Sequence, residues 1–251
     1  MIKCDCIIGG KKMEFVQAQF SLKFEPQIRI RRNANQIEDF LEEYYGAPQT
    51  MPIPDEFAAE APRIILNSKN GHSQVSFSQI SVDFTVNFDS DFKNDFGLTK
   101  EYILKRIDIL KKLLKEIDIS NYYFCGITYN VHLDTKGNNN TEYIKKILGN
   151  RAEKENNIYE AMQKIAVVVE DKFFINQQIG TYKEYQGNGN VIPNLVNFRN
   201  SKLVEEGVNL SLDINNRYQY LYTGKETNIE NLDELIAKLY ELIEQKLKEW
   251  S

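Results

Sequence analysis

From Ile80 to Phe88 every second residue is apolar, with Ile80, Val82, Phe84, Val86 and Phe88 alternating with polar neighbours. That is the period of a strand with one buried and one wet face. The apolar residues just before them, Val75 and Phe77, sit at odd positions, so both sets reach one core only through a turn or bulge near Ser78 and Gln79. The same period runs through "MEFVQAQFSLKF", where Val16, Ala18, Phe20, Leu22 and Phe24 share a face and Phe15, Gln17 and Gln19 take the other. "NQIEDFLEEYYG" predicts a short helix, with Ile37, Phe40, Leu41 and Tyr44 at helical spacing and Gly46 to end it. Pro48, Pro52, Pro54 and Pro62 mark an irregular surface connection. "RIILN" and "QVSF" predict strands joined by the turn "NGHS". A long helix from about Thr99 to Ile117 carries Ile103, Ile107, Leu110, Leu114 and Ile117 on one stripe, with Lys105, Lys111, Lys112 and Lys115 facing elsewhere.

The second half repeats the order. "YYFCGITYNVHL" predicts a strand, "TEYIKKILGN" a short helix and "NNIYEAMQKIA" a second one. "VVVEDKFFINQQIGTYKEY", "VIPNLVNF" and "VNLSLDIN" predict strands, with "QGNGN" as a hairpin turn between two of them. The closing helix starts in "TNIE", where Thr227 caps and Glu230 reciprocates, and runs through Leu232, Leu235, Ile236, Leu239, Leu242, Ile243 and Leu247 toward Trp250.

Each half thus reads strand, helix, three or four strands, long helix. A long helix with one apolar stripe needs an apolar surface to cover, and a one-sided antiparallel sheet supplies it. The expected class is α+β: two duplicated units, 1–120 and 121–251, forming one continuous antiparallel sheet packed against two long helices. This order resembles the fold of the TATA-binding protein and the related helix-grip folds, a likeness that implies architecture and no activity. "VNLSLDINNRYQYLY", the closing helix and, in part, "GITYNVHL" also resemble the C-terminal half of a sporadically distributed, uncharacterised prokaryotic family of about this length. Its members carry a Leu-Asp-Ile-Asp-like strand, and here Asn215 stands where the second acid is expected. That resemblance implies a prokaryotic source and a mobile or defence-related locus, and it brings no catalytic residues.

Composition narrows the function classes. The net charge of -5, with both signs interspersed along the chain, gives no field to gather phosphates, so nucleic acid is disfavoured as a partner. The densest basic cluster, Arg29, Arg31 and Arg32, reads as a solvated strand end or loop. No apolar run reaches membrane-spanning length and no secretory signal is legible, and the three cysteines have no framework spacing, so a cytoplasmic location is expected.

Candidate chemistry is sparse. His72 and His132 stand alone, and the "CDC" thiols of Cys4 and Cys6 have only Cys125 to join them. "DSDFKNDFGLTK" places Lys93, Asn94 and Lys100 where a calcium loop needs a ligand, a glycine and a glutamate. "GNGN" lacks the third glycine and the following helix of a dinucleotide loop. Asp55 with Glu170 and Lys172 would supply a magnesium nuclease set, but Asp55 lies in the Pro-rich loop and the spacing is far too long. No metal, cofactor or catalytic group is therefore assigned. The most distinctive resource is aromatic. Tyr218, Tyr220 and Tyr222, with Arg217, would line one side of a strand and anchor a protein partner, or else pack across strands at a sheet edge. The expected function is a non-enzymatic interaction or regulatory module that binds another protein. The alternative is a small-ligand-binding protein or enzyme with a pocket between sheet and helices.

Overall fold

The computed structural model describes residues 7–8, 11–133, 149, 158–187 and 201–250. The first elements are β1 (Ile7–Ile8), β2 (Lys11–Lys23), α1 (Ala34–Leu41), β3 (Gln49–Thr50), β4 (Ile64–Asn67), β5 (Ser73–Phe77), β6 (Ser81–Asn87) and α2 (Phe96–Glu116). They are followed by β7 (Asn121–Tyr122), β8 (Phe124–Leu133), β9 (Met162–Val169), β10 (Phe173–Gly187), β11 (Ser201–Asn215), α3 (Arg217–Thr223), β12 (Thr227–Asn228) and α4 (Leu232–Trp250). The fold is mixed α and β, with four α-helices and a ten-stranded sheet among the described residues. The sheet order is β3-β4-β5-β6-β2-β8-β11-β10-β9, with β1 also on β2, and every pairing is antiparallel. From the central β2·β8 pair it reads outward through β6, β5, β4 and β3 on one side and through β11, β10 and β9 on the other.

The period of two explains which side is buried. Val82, Phe84 and Val86 of β6, Ile127, Tyr129 and Val131 of β8, and Leu210, Leu212 and Ile214 of β11 all enter one core. β2 departs from strict alternation. Its register against β8 shifts between Phe15 and Gln17, a bulge that returns Phe15 to the same buried side as Ala18, Phe20 and Leu22. Phe15 therefore belongs to the core and not to the opposite face that unbroken alternation assigns to it. The parity change at Ser78 and Gln79 is a tight turn between β5 and β6, closed by Ser78 N–H donating to Ser81 O at 2.9 Å. The Pro-rich stretch is stitched down by two arginines. Arg63 is fully buried and donates to the carbonyls of Pro54, Phe57, Ala58 and Ala61. Arg31, far from a solvated strand end, binds Asp55 and the carbonyls of Met51 and Ile53.

α2 and α4 cover the apolar side together. Asp95 caps α2 by accepting from Leu98 N–H, and the stripe Ile103, Ile107, Leu110 and Leu114 is buried. Ion pairs Lys100–Glu244 and Lys111–Asp233, each 2.7 Å, and Lys115–Glu230 run in opposite senses along the two helices, so these lie antiparallel. Lys111 is thus no wet-side lysine. Its stem is buried in the helix seam and only its ammonium reaches Asp233 and the Glu230 carbonyl. Tyr240 of α4 meets Tyr129 of β8 hydroxyl to hydroxyl at 3.3 Å, and Phe96 at the start of α2 packs against both rings.

Other local expectations change where tertiary pairing wins. Met162–Val169 is a strand although "NNIYEAMQKIA" has helical spacing, because its backbone pairs with β10 from Met162↔Gly180 to Val169↔Phe173. α1 ends at Leu41, before Gly46. The closing helix is entered through a 3₁₀ turn capped by Asn228, whose side chain accepts from Glu230 N–H, while Thr227 pairs with Tyr122 in the β7·β12 ribbon. The expected helix over 141–150, the strand over 191–198, the turn residues 188–190 and the "CDC" thiols lie outside the described residues.

Two substitutions check this packing. Leu239 of α4 is fully buried, so Leu239→Ala should cost about 2–5 kcal/mol in a denaturant melt, whereas Lys105→Ala, exposed on α2, should stay within about 0.5 kcal/mol. Equal, small effects would place α4 outside the core. Gly126 of β8 lies so close to β11 that an added Cβ would stand 2.6 Å from Asn215 Cβ. Gly126→Ala should therefore destabilise by about 1–3 kcal/mol in the same assay.

Candidate functional site

The Arg217–Tyr222 segment is a helix, α3, and not the strand that its alternating tyrosines suggest. β11 ends because Asn216 turns the chain. Its side-chain oxygen accepts from Cys125 N–H at 2.8 Å, and its own N–H donates to Cys125 O at 3.2 Å. Gly224, at φ 60°, takes the left-handed conformation that closes the far end. The helical turn splits the expected ladder. Tyr218 and Tyr222 are one turn apart with ring centroids 4.5 Å from each other, and Tyr218 meets Phe174 of β10 edge-on at 5.2 Å. Tyr220 goes the other way and stacks on Tyr123 at 4.8 Å, while Arg217 lies 5.8 Å over Phe124. α3 buries none of its residues, and Leu221 and Tyr222 are 57% and 74% exposed. Phe174 pairs across the sheet with the exposed Val168 of β9, so an apolar corner runs from Val168 through Phe174 and Tyr218 to Tyr222.

This corner ends the side of the sheet opposite the helices, where the strands carry amides, hydroxyls and acids in cross-strand rows. One row is Thr85, Gln19, Thr128, Asp213 and Asn176, and the next is Asn87, Gln17, Asn130, Ser211 and Gln178. Asp213 accepts from Thr128, Asn176 and Asn215, and Gln17 bridges Asn87 and Asn130. These groups satisfy one another, as expected for the wet side of an antiparallel sheet. At the far end His132 stacks on Tyr182 at 4.1 Å, with Nδ1 3.7 Å from a Glu205 oxygen that also accepts from the Tyr182 hydroxyl. Burial lowers the His132 pKa below the ordinary imidazole value, with Glu205 opposing the shift.

A cleft of about 280 Å³ opens on the other side of α3. One wall is a stripe of α4 and its entry turn, Asn231, Glu234, Leu235 and Lys238, at the spacing of one helix face. Leu235 is therefore half-buried at a cleft wall, unlike Leu232, Leu239 and Leu242, which are in the core. The β9–β10 turn supplies Glu170 and Lys172, and Glu170 reaches across to Lys238 at 2.9 Å. This turn holds Glu170 and Asp171 at φ 55° and 51°, where side chains other than glycine are uncommon. Tyr122, fully buried, and Asn216 also border the cleft. Burial pushes the Tyr122 hydroxyl well above the ordinary phenol range, with Thr227 opposing, so it stays neutral. A recess of about 30 Å³ beside His72 and Asp89 has room for a water or two.

The structure brings Arg217, Tyr218, Tyr220 and Tyr222 to one helix but onto two sides of it. Asp55 and Glu170 are held by different partners, Arg31 and Lys238, and share no group. The cleft had one signal in the sequence: the polar stripe 231, 234, 238 beside the apolar stripe of the closing helix. No protein-family model matches the chain, and no curated protein matches it either.

The lowered pKa of His132 gives a pH prediction. A histidine that resists protonation when folded supports stability above its unfolded pKa, about 6.5, and that support is lost as pH falls toward the lower folded value. The melting temperature should therefore drop more steeply from about pH 7.5 to about pH 5 in the native chain than in His132→Asn. Parallel curves would show that His132 titrates no differently in the folded state.

Proposed function

We propose that the chain is a non-enzymatic interaction module of the prokaryotic cytoplasm that docks another protein through the apolar corner built on α3. One observation carries this reading: a helix with no buried residue holds Leu221 and Tyr222 out to solvent beside a stacked Tyr218 and Phe174. Contiguous exposed apolar surface on a soluble chain marks interaction sites, and tyrosine and arginine are the side chains that anchor them. A protein suits this corner better than nucleic acid, because the chain is acidic overall and Arg217 lies over Phe124 on the Tyr220 side of α3, away from Tyr218 and Tyr222.

We also infer that the two halves descend from a duplicated unit. The support is the strand order, in which β2 and β8 pair centrally, the later strands of each half step inward from the sheet edge, β3 to β6 and β9 to β11, and each half ends in a long helix over the same side.

In-cell photocrosslinking from position 222 tests the docking role. A discrete adduct with one other protein is expected, absent when the crosslinker sits at position 105 and lost when Leu221→Ser is added. No adduct, self-adducts alone, or the same adducts from both positions would overturn it.

A further inference from the structure

The cleft between α3, α4 and the β9–β10 turn has no part in the docking role, yet its floor and walls are built for a ligand. One buried polar atom at its floor lacks a partner, and a side-chain amide beside it keeps a free, solvent-accessible donor. The Tyr122 hydroxyl is buried and makes no hydrogen bond of good geometry. Asn216 is 3% exposed, its oxygen is committed to Cys125 N–H, and its side-chain amide nitrogen donates to no group among the described residues. Buried polar groups are rarely left so unless a water or a ligand completes them.

The walls add charge of both signs. Glu170 and Glu241 both pair with Lys238, at 2.9 and 3.2 Å, in a group that keeps one net negative charge. Once they are set aside, Lys172 and Glu234 remain, and neither has an ion-pair partner among the described residues. They come from different elements, Lys172 from the β9–β10 turn and Glu234 from the first turn of α4. Phe173 and Leu235 supply apolar lining between them. At about 280 Å³ the volume lies just below the range for drug-sized small-molecule sites, roughly 300–1,000 Å³, so only a small metabolite fits.

We propose that this cleft binds a small zwitterion of amino-acid size, its carboxylate toward Lys172 and its ammonium toward Glu234. The amide of Asn216 and the hydroxyl of Tyr122 then donate to the ligand oxygens. Both side chains are exposed and solvated in the empty cleft, so selection is relative: a zwitterion is attracted at both, a ligand of single charge is attracted by one and repelled by the other, and a neutral one gains at neither.

Calorimetric titration of the full chain with each common L-α-amino acid and with 4-aminobutanoate tests this. At least one probe should bind with a dissociation constant below about 1 mM. Its N-acetyl form, which lacks the ammonium, and its carboxamide, which lacks the carboxylate, should each bind about tenfold more weakly or less. Lys172→Met and Glu234→Gln, both at exposed positions, should weaken the same probe by a similar factor and leave the ligand-free melting temperature unchanged. No binding by any probe up to about 10 mM would overturn the proposal. Equal affinity for the blocked forms, or affinity unaltered by both substitutions, would overturn it as well. The Leu221→Ser variant separates the two roles, since it should abolish the crosslink from position 222 and leave the titration unchanged.

Discussion

The antiparallel pairing of β2 with β8 is the constraint from which the rest follows. Ten residue pairs, Met13↔Leu133 through Lys23↔Phe124, join parts of the chain more than 100 positions apart. Because side chains alternate along each strand, this pairing sends Phe15, Ala18, Phe20 and Leu22 to the same side as Val131, Tyr129, Ile127 and Cys125. All apolar cover must then arrive on that one side. α2 and α4 have room only as antiparallel neighbours, and the ion pairs Lys100–Glu244, Lys111–Asp233 and Lys115–Glu230 fix how far one slides along the other. Exposed ion pairs are worth little each, so their role here is register, while the buried stripes supply the stability.

Much of this was legible in the alternation itself. The strands from Ile64 to Asn87, the parity break at Ser78 and the stripes of both long helices emerge as read, because local period and burial agree there. The failures share one physical cause. Phe15, the stretch 162–166 and Lys111 are each decided by a distant partner: the β8 register, the β10 backbone and the Asp233 carboxylate. Alternating tyrosines at 218, 220 and 222 look like a strand face, yet there is no neighbour for such a strand once Asn216 has turned the backbone away from β8. Tyrosine has no strong objection to a helix, and the short turn wins.

The surface is uneven in a way that the fold accounts for only in part. Nine of the thirteen large apolar residues exposed among the described residues follow residue 150, and they lie on β9 and just before it, on β11, and on α3. β9 ends the sheet, so its residues have a neighbour on one side only. That explains exposure at Ile165 and Val167. It does not explain Leu221 and Tyr222, which belong to a helix and could have been polar at no cost to the core, and their exposure is the observation on which the proposed docking role rests.

The corner and the cleft meet at the start of α3, where Asn216 and Gln219 both line the cleft and Gln219 N–H donates to Lys172 O at 3.1 Å. Asn216 holds the end of β11 against β8 through two bonds to Cys125, starts α3, and borders the cleft with the free end of its amide. Its carbonyl oxygen is committed to the fold and its amide nitrogen is not, so one side chain has a structural end and a receptive end. α3 buries nothing of its own and is held through this turn and the ring contacts of Tyr218 and Tyr220. A group bonded to the Asn216 amide would thus restrain the turn from which α3 starts, and with it the pose of Tyr222. Any coupling between the two sites is bounded by the difference in affinity that a cleft ligand has for the restrained and unrestrained turn. The Asn216 side chain and the Gln219–Lys172 backbone bond are therefore two direct links between the cleft and the helix that carries the exposed corner.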